Sequence, residues 1–217
     1  MITNIPNLLK KCGTVGLFAA FWRLSAAAAF PADLFGYQQA AQTGIDRFPQ
    51  WVQVLERHLL EDRPDGDCTE TRFNRCHLQA WQAFLESIRD LPRERQLQAV
   101  NRYANHKTYV LDIDNYGIED YWADAREFHD NGGDCEDYAI TKLFSLRWLG
   151  FPMQQLRVVV LQDTNLRIPH AILAVADGDD IRILDNQIEE VVSHHQIVHY
   201  APVYSINEQG WWIHLPH

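Results

Sequence analysis

The chain has 217 residues, 47% of them hydrophobic and 22% charged, with a formal charge of −10. Such a length and composition describe one domain with a sizeable core and exclude a disordered chain. After Ala29 there are 29 acids against 16 bases; this excludes the basic surface that nucleic-acid binding needs and leaves room for divalent cations or basic partners.

Residues 1–29 have the pattern of an export signal. Lys10 and Lys11 give a positive start, Cys12 to Trp22 an apolar run, and Ser25 to Ala29 small residues suited to cleavage. Arg23 interrupts the run, which falls short of the roughly 20 apolar residues that cross a bilayer. The expectation is an exported domain over 30–217, the alternative an uncleaved N-terminal anchor. Cys12 lies inside the signal, and Cys68 and Cys76 are either bridged or two free thiols. Cys135 is then the odd cysteine.

Helices come first. Trp51, Val54, Leu55, His58 and Leu59 share one helical face, and residues 73–88 repeat apolar side chains at i, i+3, i+4 and i+7. Pro92 opens a third helix carrying Leu97, Val100 and Ala104. These helices define a lobe over about 45–106, with His58 and His77 as core histidines. Residues 107–130 read as a long, irregular, aromatic and acidic loop, a length that usually serves function.

Two glycines, Gly132 and Gly133, then break the backbone before a helix whose face holds Cys135, Tyr138, Ala139, Lys142, Leu143 and Leu146; Gly150 and Pro152 stop it. Cys135 therefore sits in a first helical turn, where unpaired N–H groups and the helix dipole favour a thiolate. The alternative is a buried cysteine without chemistry. After Pro152 the period changes to two. Strands are expected over Leu156–Leu161, His170–Val175, Ile181–Leu184 and Ile197–Tyr204, and helices followed by strands read as α+β with an antiparallel sheet.

The turn near Asp177-Gly178 allows two hairpin registers. With Asp177-Gly178 as the turn, His170 faces Asp185 directly; with Gly178-Asp179, the two are diagonal neighbours on one face. Either way a Cys135, His170, Asp185 order emerges. The imidazole would take the thiol proton, Asp185 would fix its tautomer, and the Cys135 N–H would meet an oxyanion. No second oxyanion donor is evident. A peptidase and an acyltransferase such as a transglutaminase would share this chemistry, differing in whether water or an amine resolves the thioester.

The block from Gly132 to Ala139, with Pro169-His170-Ala171, Leu184-Asp185-Asn186, Asn115-Tyr116-Gly117 and Asp120-Tyr121-Trp122, resembles the bacterial transglutaminase-like cysteine proteinases of the LapG type over residues 45 to 205. The resemblance implies a papain- and transglutaminase-like fold, with Cys135 as nucleophile, His170 as base and Asp185 as orienting acid. It also implies a periplasmic endopeptidase that cuts a large surface adhesin near its N-terminus, after paired alanines, and so disperses biofilm. The implied inhibitor is an inner-membrane receptor for cyclic di-GMP. The implied cofactor is Ca²⁺, with Asp134 and Glu136 matching the family's acids.

Calcium has an independent physical motive. Asp134, Glu136 and Asp137 crowd Cys135 with negative charge that opposes a thiolate. Ca²⁺ needs six to eight oxygen ligands, so Asp120, Asp114 and loop carbonyls are candidates to complete the shell, with Asp112 weaker. The alternative is that the acids merely complement the helix dipole. His194, His195 and His199 lack the spacing of a structural zinc site and read as a solvated loop.

Overall fold

The computed structural model describes residues 30–59 and 76–217. The expected export signal, Cys68 and residues 73–75 of the expected second helix lie outside that range. The chain opens with β1 (Asp33–Leu34) and β2 (Tyr37–Gln42), followed by α1 (Pro49–Leu59), α2 (Cys76–Ile88) and α3 (Arg93–Asn105). Next come α4 (Asp112–Asn115), α5 (Ala125–Asn131) and α6 (Cys135–Trp148). The second half is β3 (Leu156–Asp163), β4 (Ile168–Asp177), β5 (Asp180–Leu184), β6 (Val192–Ser193), β7 (Tyr200–Asn207) and β8 (Gly210–Pro216). One antiparallel sheet runs in the order β1-β2-β8-β7-β3-β4-β5-β6. This is the expected α+β class.

Two expectations are corrected. The chain does not keep its strands for the second half: β2 pairs along β8, aligning Tyr37 with Pro216 and Gln42 with Trp211. The Tyr37–Gln42 stretch carries four polar or aromatic residues and two alanines, so no alternation announced it. Nor is 107–130 irregular throughout. It contains α4 and α5, and α5 opens on a capping box in which Asp124 Oδ1 accepts from the Glu127 N–H (2.9 Å) and Glu127 Oε2 from the Asp124 N–H (3.0 Å).

α6 packs on β3 and β4 on one side and on α3 and α5 on another. Every residue from Asp137 to Leu146 is buried, beyond the single face expected. Ser145 is paired inside the core: Trp81 Nε1 donates to Ser145 Oγ (2.9 Å), which donates to the Thr141 carbonyl (2.7 Å). α1 docks on the same helix through Trp51 and through His58, whose ring stacks on Phe144 with centroids 3.8 Å apart. The helix carrying the thiol is thus held on all sides, and its first turn is aimed by packing.

Between β4 and β5 the turn is Gly178-Asp179, with Asp177 paired to Asp180 and Leu173 to Leu184. This is the second of the two registers. It makes His170 and Asp185 diagonal neighbours beyond the end of the paired stretch.

His214 on β8 is buried, with Nε2 3.0 Å from Ser205 Oγ, and burial together with nearby Arg157 lowers its pKa from 6.5 to about 4. Above pH 6.5 the ring is neutral folded or unfolded. As pH falls toward 4, the unfolded chain takes up a proton that folded His214 refuses, so stability drops, by about 2 to 3 kcal/mol at pH 4.5. Chemical denaturation at pH 7 and pH 4.5 should show a smaller pH-dependent loss for His214→Gln than for wild type. Equal losses would mean that His214 is not the titrating group.

Candidate active site

The site is built at the N-terminus of α6. Gly132 follows α5 with φ +75°, and a Cβ there would lie 2.3 Å from the Thr108 carbonyl oxygen. A Cβ on Gly133 would lie 2.2 Å from Asp137 Oδ2. The two glycines therefore let the backbone pass between the 108–110 strand-like segment and the acids of α6. Gly133 bridges to Tyr109, and its carbonyl accepts from the Val110 N–H (2.9 Å). Asp134 caps the helix, and Cys135 is its first residue.

Cys135, His170 and Ala171 line one cleft of about 470 Å³ together with Trp122, Tyr109 and Tyr204. His170 Nε2 lies 2.9 Å from Asp185 Oδ1, which also accepts from the Gln187 N–H (2.8 Å); Tyr200 donates to Asp185 Oδ2 (2.7 Å). His170 and Asp185 are 2% and 1% exposed, so this bond is sheltered from water and strengthened by it. Burial pushes the Asp185 pKa up, but the hydrogen bond and charge of His170, the Gln187 N–H and Tyr200 outweigh it and hold the carboxyl below its usual range. With Asp185 ionised, the proton sits on His170 Nε2, and Nδ1 is left as the base.

The thiol is another matter. Cys135 is half-buried, its Sγ donates to Glu136 Oε2 (3.2 Å), and burial with the charges of Glu136 and Asp134 pushes its pKa above the usual thiol range. The backbone N–H of Ala171, which bonds to the sulfur, opposes this without overcoming it. In the cation-free chain, burial of the thiol and the flanking carboxylates of Glu136 and Asp134 oppose the pull of the helix N-terminus toward a thiolate.

Those acids belong to a larger cluster. Asp112, Asp120 and Glu136 bring carboxylate oxygens within 4.8 Å of one another, and so do Asp112, Asp134 and Asp137. Asp112 is common to both sets. Burial and the charges of Asp134 and Asp120 raise its pKa to about 6 despite the Tyr121 N–H it accepts. Glu136 is raised to about 10 by burial, a hydrogen bond with Asp134 and the charges of Asp134 and Asp137. Asp137 is fully buried and accepts from the N–H groups of Ala123 (2.7 Å) and Asp134 (3.1 Å). Asp112 Oδ1 and Asp134 Oδ1 are buried with no hydrogen-bond partner. Unpaired buried carboxylate oxygens beside one another fit a hard divalent cation with oxygen ligands.

Of the residues expected to hold a metal, Asp134, Glu136 and Asp120 lie in this cluster. Asp114 is exposed on α4 and joins no such group among the described residues; Asp112, thought weaker, takes its place because the first turn of α4 points inward at that position. Asp137 was expected to crowd the thiol but was missed as a member of the metal cluster, and Tyr200 and the Ala171 N–H were missed as site groups. Asp137 could have been found from its position three residues after the capping Asp134; Tyr200 had no local signal. The histidine cluster gains an unexpected neighbour, Asp180, near His194 and His195. His194 Nδ1, however, already accepts from the Phe35 N–H (3.2 Å).

A thiol at a helix start, a strand histidine and a buried aspartate on an antiparallel sheet define the papain- and transglutaminase-like class. Residues 63–217 match the family described as bacterial transglutaminase-like cysteine proteinase (BTLCP), and the chain belongs to that family. It is similar to Legionella pneumophila LapG in its calcium-bound form, with 31% identity and a TM-score of 0.59 over 74% of this chain and 87% of that one. It is likewise similar to LapG with no ligand named, at 29% identity and a TM-score of 0.59 over 80% and 90% of the two chains. The EGTA-treated LapG structure gives 29% identity and 0.59 over 80% and 87%. No curated protein matches the chain.

Gly133→Ala tests the tight approach of the backbone to Asp137. The clash should destabilise the fold by about 1–3 kcal/mol, the scale of core overpacking, and, with calcium present, slow alkylation of Cys135 by displacing the acids that would hold the ion. A variant with wild-type melting and wild-type alkylation would show that the glycine is dispensable.

Proposed function

We propose that the chain is a calcium-dependent periplasmic cysteine endopeptidase that cuts a large surface adhesin near its N-terminus, after paired alanines, and thereby promotes biofilm dispersal. An inner-membrane cyclic di-GMP receptor is the proposed inhibitor. The observation that carries the reading is that Cys135, His170 with Asp185 bonded behind it, and the acids Asp120, Asp134 and Glu136 meet at one cleft, beside unpaired carboxylate oxygens of Asp112 and Asp134. The calcium-bound and EGTA-treated forms of the similar LapG support the cation.

Asp112, Asp134, Glu136, Asp137 and Asp120 would hold the ion, with carbonyls completing the shell. A bound Ca²⁺ supplies positive charge that offsets the carboxylates flanking the thiol. Glu136, as one of those ligands, would no longer hold the Cys135 thiol proton, and Nδ1 of His170 accepts that proton. The thiolate attacks the substrate carbonyl, and the oxyanion is met by the Cys135 N–H, which has no acceptor within its helix. The Nε2–H of His170 stays on Asp185, which steadies the imidazolium. His170 then returns its proton to the leaving amine, and water, activated by the same ring, opens the thioester.

A family-type adhesin N-terminal fragment should be cut by the purified chain with calcium and not with a chelator. Cys135→Ala should be inactive in both. Asp134→Ala with Glu136→Ala should lose activity on the order of 100-fold while keeping its circular dichroism spectrum. Full cutting in chelator would defeat the calcium reading, and amine incorporation in place of cutting would make the enzyme an acyltransferase.

A further inference from the structure

The His170–Asp185 pair is backed by a second apolar cluster, apart from the one that holds α6. Val158 and Leu173 pack with the helices, whereas Val159, Leu161 and Ile172 point the other way and cluster with Leu34 and Tyr200. His170 pairs with Leu161 across β3 and β4 and so shares that second face. Phe35, at the tip of the β1–β2 hairpin, packs against the same cluster.

That tip is strained. It is the two-residue turn Phe35-Gly36 between the paired residues Leu34 and Tyr37, with φ +55° and +82°. A hairpin turn with both φ values positive favours Asn-Gly, and a bulky side chain in the left-handed region is rare. The Phe35 ring meets the Tyr200 ring edge-on, with centroids 5.7 Å apart and planes at 87°. Its N–H donates to Nδ1 of buried His194 (3.2 Å). Backbone strain of this kind persists only where its surroundings impose it, and it clusters at functional sites.

Tyr200 leads from the hairpin to the chemistry. It is buried, its ring stands 5.8 Å from the His170 ring, and its hydroxyl donates to Asp185 Oδ2 (2.7 Å). Asp185 Oδ1 is engaged by His170 and by the Gln187 N–H, so among the described residues Tyr200 alone holds Oδ2. A carboxyl group turns easily about its Cβ–Cγ bond. Donors on both oxygens stop that rotation and keep Oδ1 on His170 Nε2. Burial and the Asp185 charge push the Tyr200 phenol well above its ordinary pKa, so the donor is always present.

Building on the Cys135–His170–Asp185 assignment, we infer that Tyr200 and Phe35 are positioning residues for peptide cleavage: the tip of the β1–β2 hairpin clamps the Tyr200 ring, and the Tyr200 hydroxyl fixes the Asp185 carboxylate that orients His170. Neither residue lines the cleft. Simple core filling would need neither a hydroxyl on Asp185 nor an aromatic ring in a left-handed turn.

The test uses the full chain with excess calcium. In Cys135→Ala protein the Nε2 proton of His170 is followed by ¹H NMR, and its exchange with water is timed. Tyr200→Phe keeps the ring and removes the hydroxyl. Phe35→Asn removes the ring and leaves the favoured Asn-Gly turn. Each should speed exchange about tenfold or more, the scale of a lost hydrogen bond to a charged group. The two together should do no more than Tyr200→Phe alone, because Phe35 acts through that hydroxyl. With Cys135 present, both variants should lower kcat for the adhesin fragment about tenfold and leave KM unchanged, and Phe35→Tyr, which keeps a ring, should match wild type. If Phe35→Asn does not fold, Phe35→Gly, which also suits the turn, carries the test. Unchanged exchange in either single variant overturns the inference, as do additive effects in the double variant or a loss that appears in KM. The exchange measurement needs neither substrate nor thiol. A wild-type chain that cuts nothing would therefore sink the proposed function and leave this inference to stand or fall on the exchange rates.

Discussion

The first turn of α6 carries both the Cys135 thiol, the proposed nucleophile, and acids that oppose its ionisation, and the rest of the molecule is arranged around that conflict. Cys135 needs a positive environment to ionise. Asp134, Glu136 and Asp137 surround it instead, and Asp112 and Asp120 arrive from the loop before it. A surface acid cluster would be screened by water. This one includes groups that are wholly buried and oxygens with no donor, so its charge must be neutralised by protons or by a cation. Protons leave the thiol bonded to Glu136 and silent; the proposed cation would release it, and the proposed calcium dependence rests on these electrostatics of the helix start.

The scaffold serves the same end. Arg57 of α1 lies 3.2 Å from Glu127 Oε2, covers the Tyr121 ring at 4.9 Å and donates to the Trp122 carbonyl. The helical lobe thereby grips the acidic loop that delivers Asp112 and Asp120. On the other side, the β4–β5 hairpin sets His170 against Asp185, and Tyr200 from β7 ties that pair to a third strand. The two halves of the site meet only because α6 is packed between them, with β4 on one flank and α3 on the other.

Much of this was legible in the sequence, for identifiable reasons. The Cys135 helix, the three long helices before it and strands β3 to β5 follow from strong periodicity and from glycine and proline stops. The His170–Asp185 pairing survived uncertainty in the turn, because a two-residue change of register keeps both side chains on one face. The N-terminal strands were hidden, since β2 gains its stability from β8, some 170 residues away, and not from its own pattern. The choice of Asp112 over Asp114 was equally out of reach: they sit two apart in a four-residue helix, and only tertiary packing decides which one turns inward. The helix dipole at Cys135 can be read from position, whereas the depth at which the thiol and its neighbouring acids are buried cannot.

The claim on which the account rests is that a cation in the acid cluster unlocks the thiol. The most direct measurement is the rate of iodoacetamide alkylation of Cys135 at neutral pH as calcium is titrated into chelator-treated protein. The account predicts a saturable rise, on the order of 100-fold for a thiol pKa relieved by about two units, that Asp112→Asn blunts. An equal rate with calcium and with chelator would show that the carboxylates do not control the nucleophile, and would contradict it.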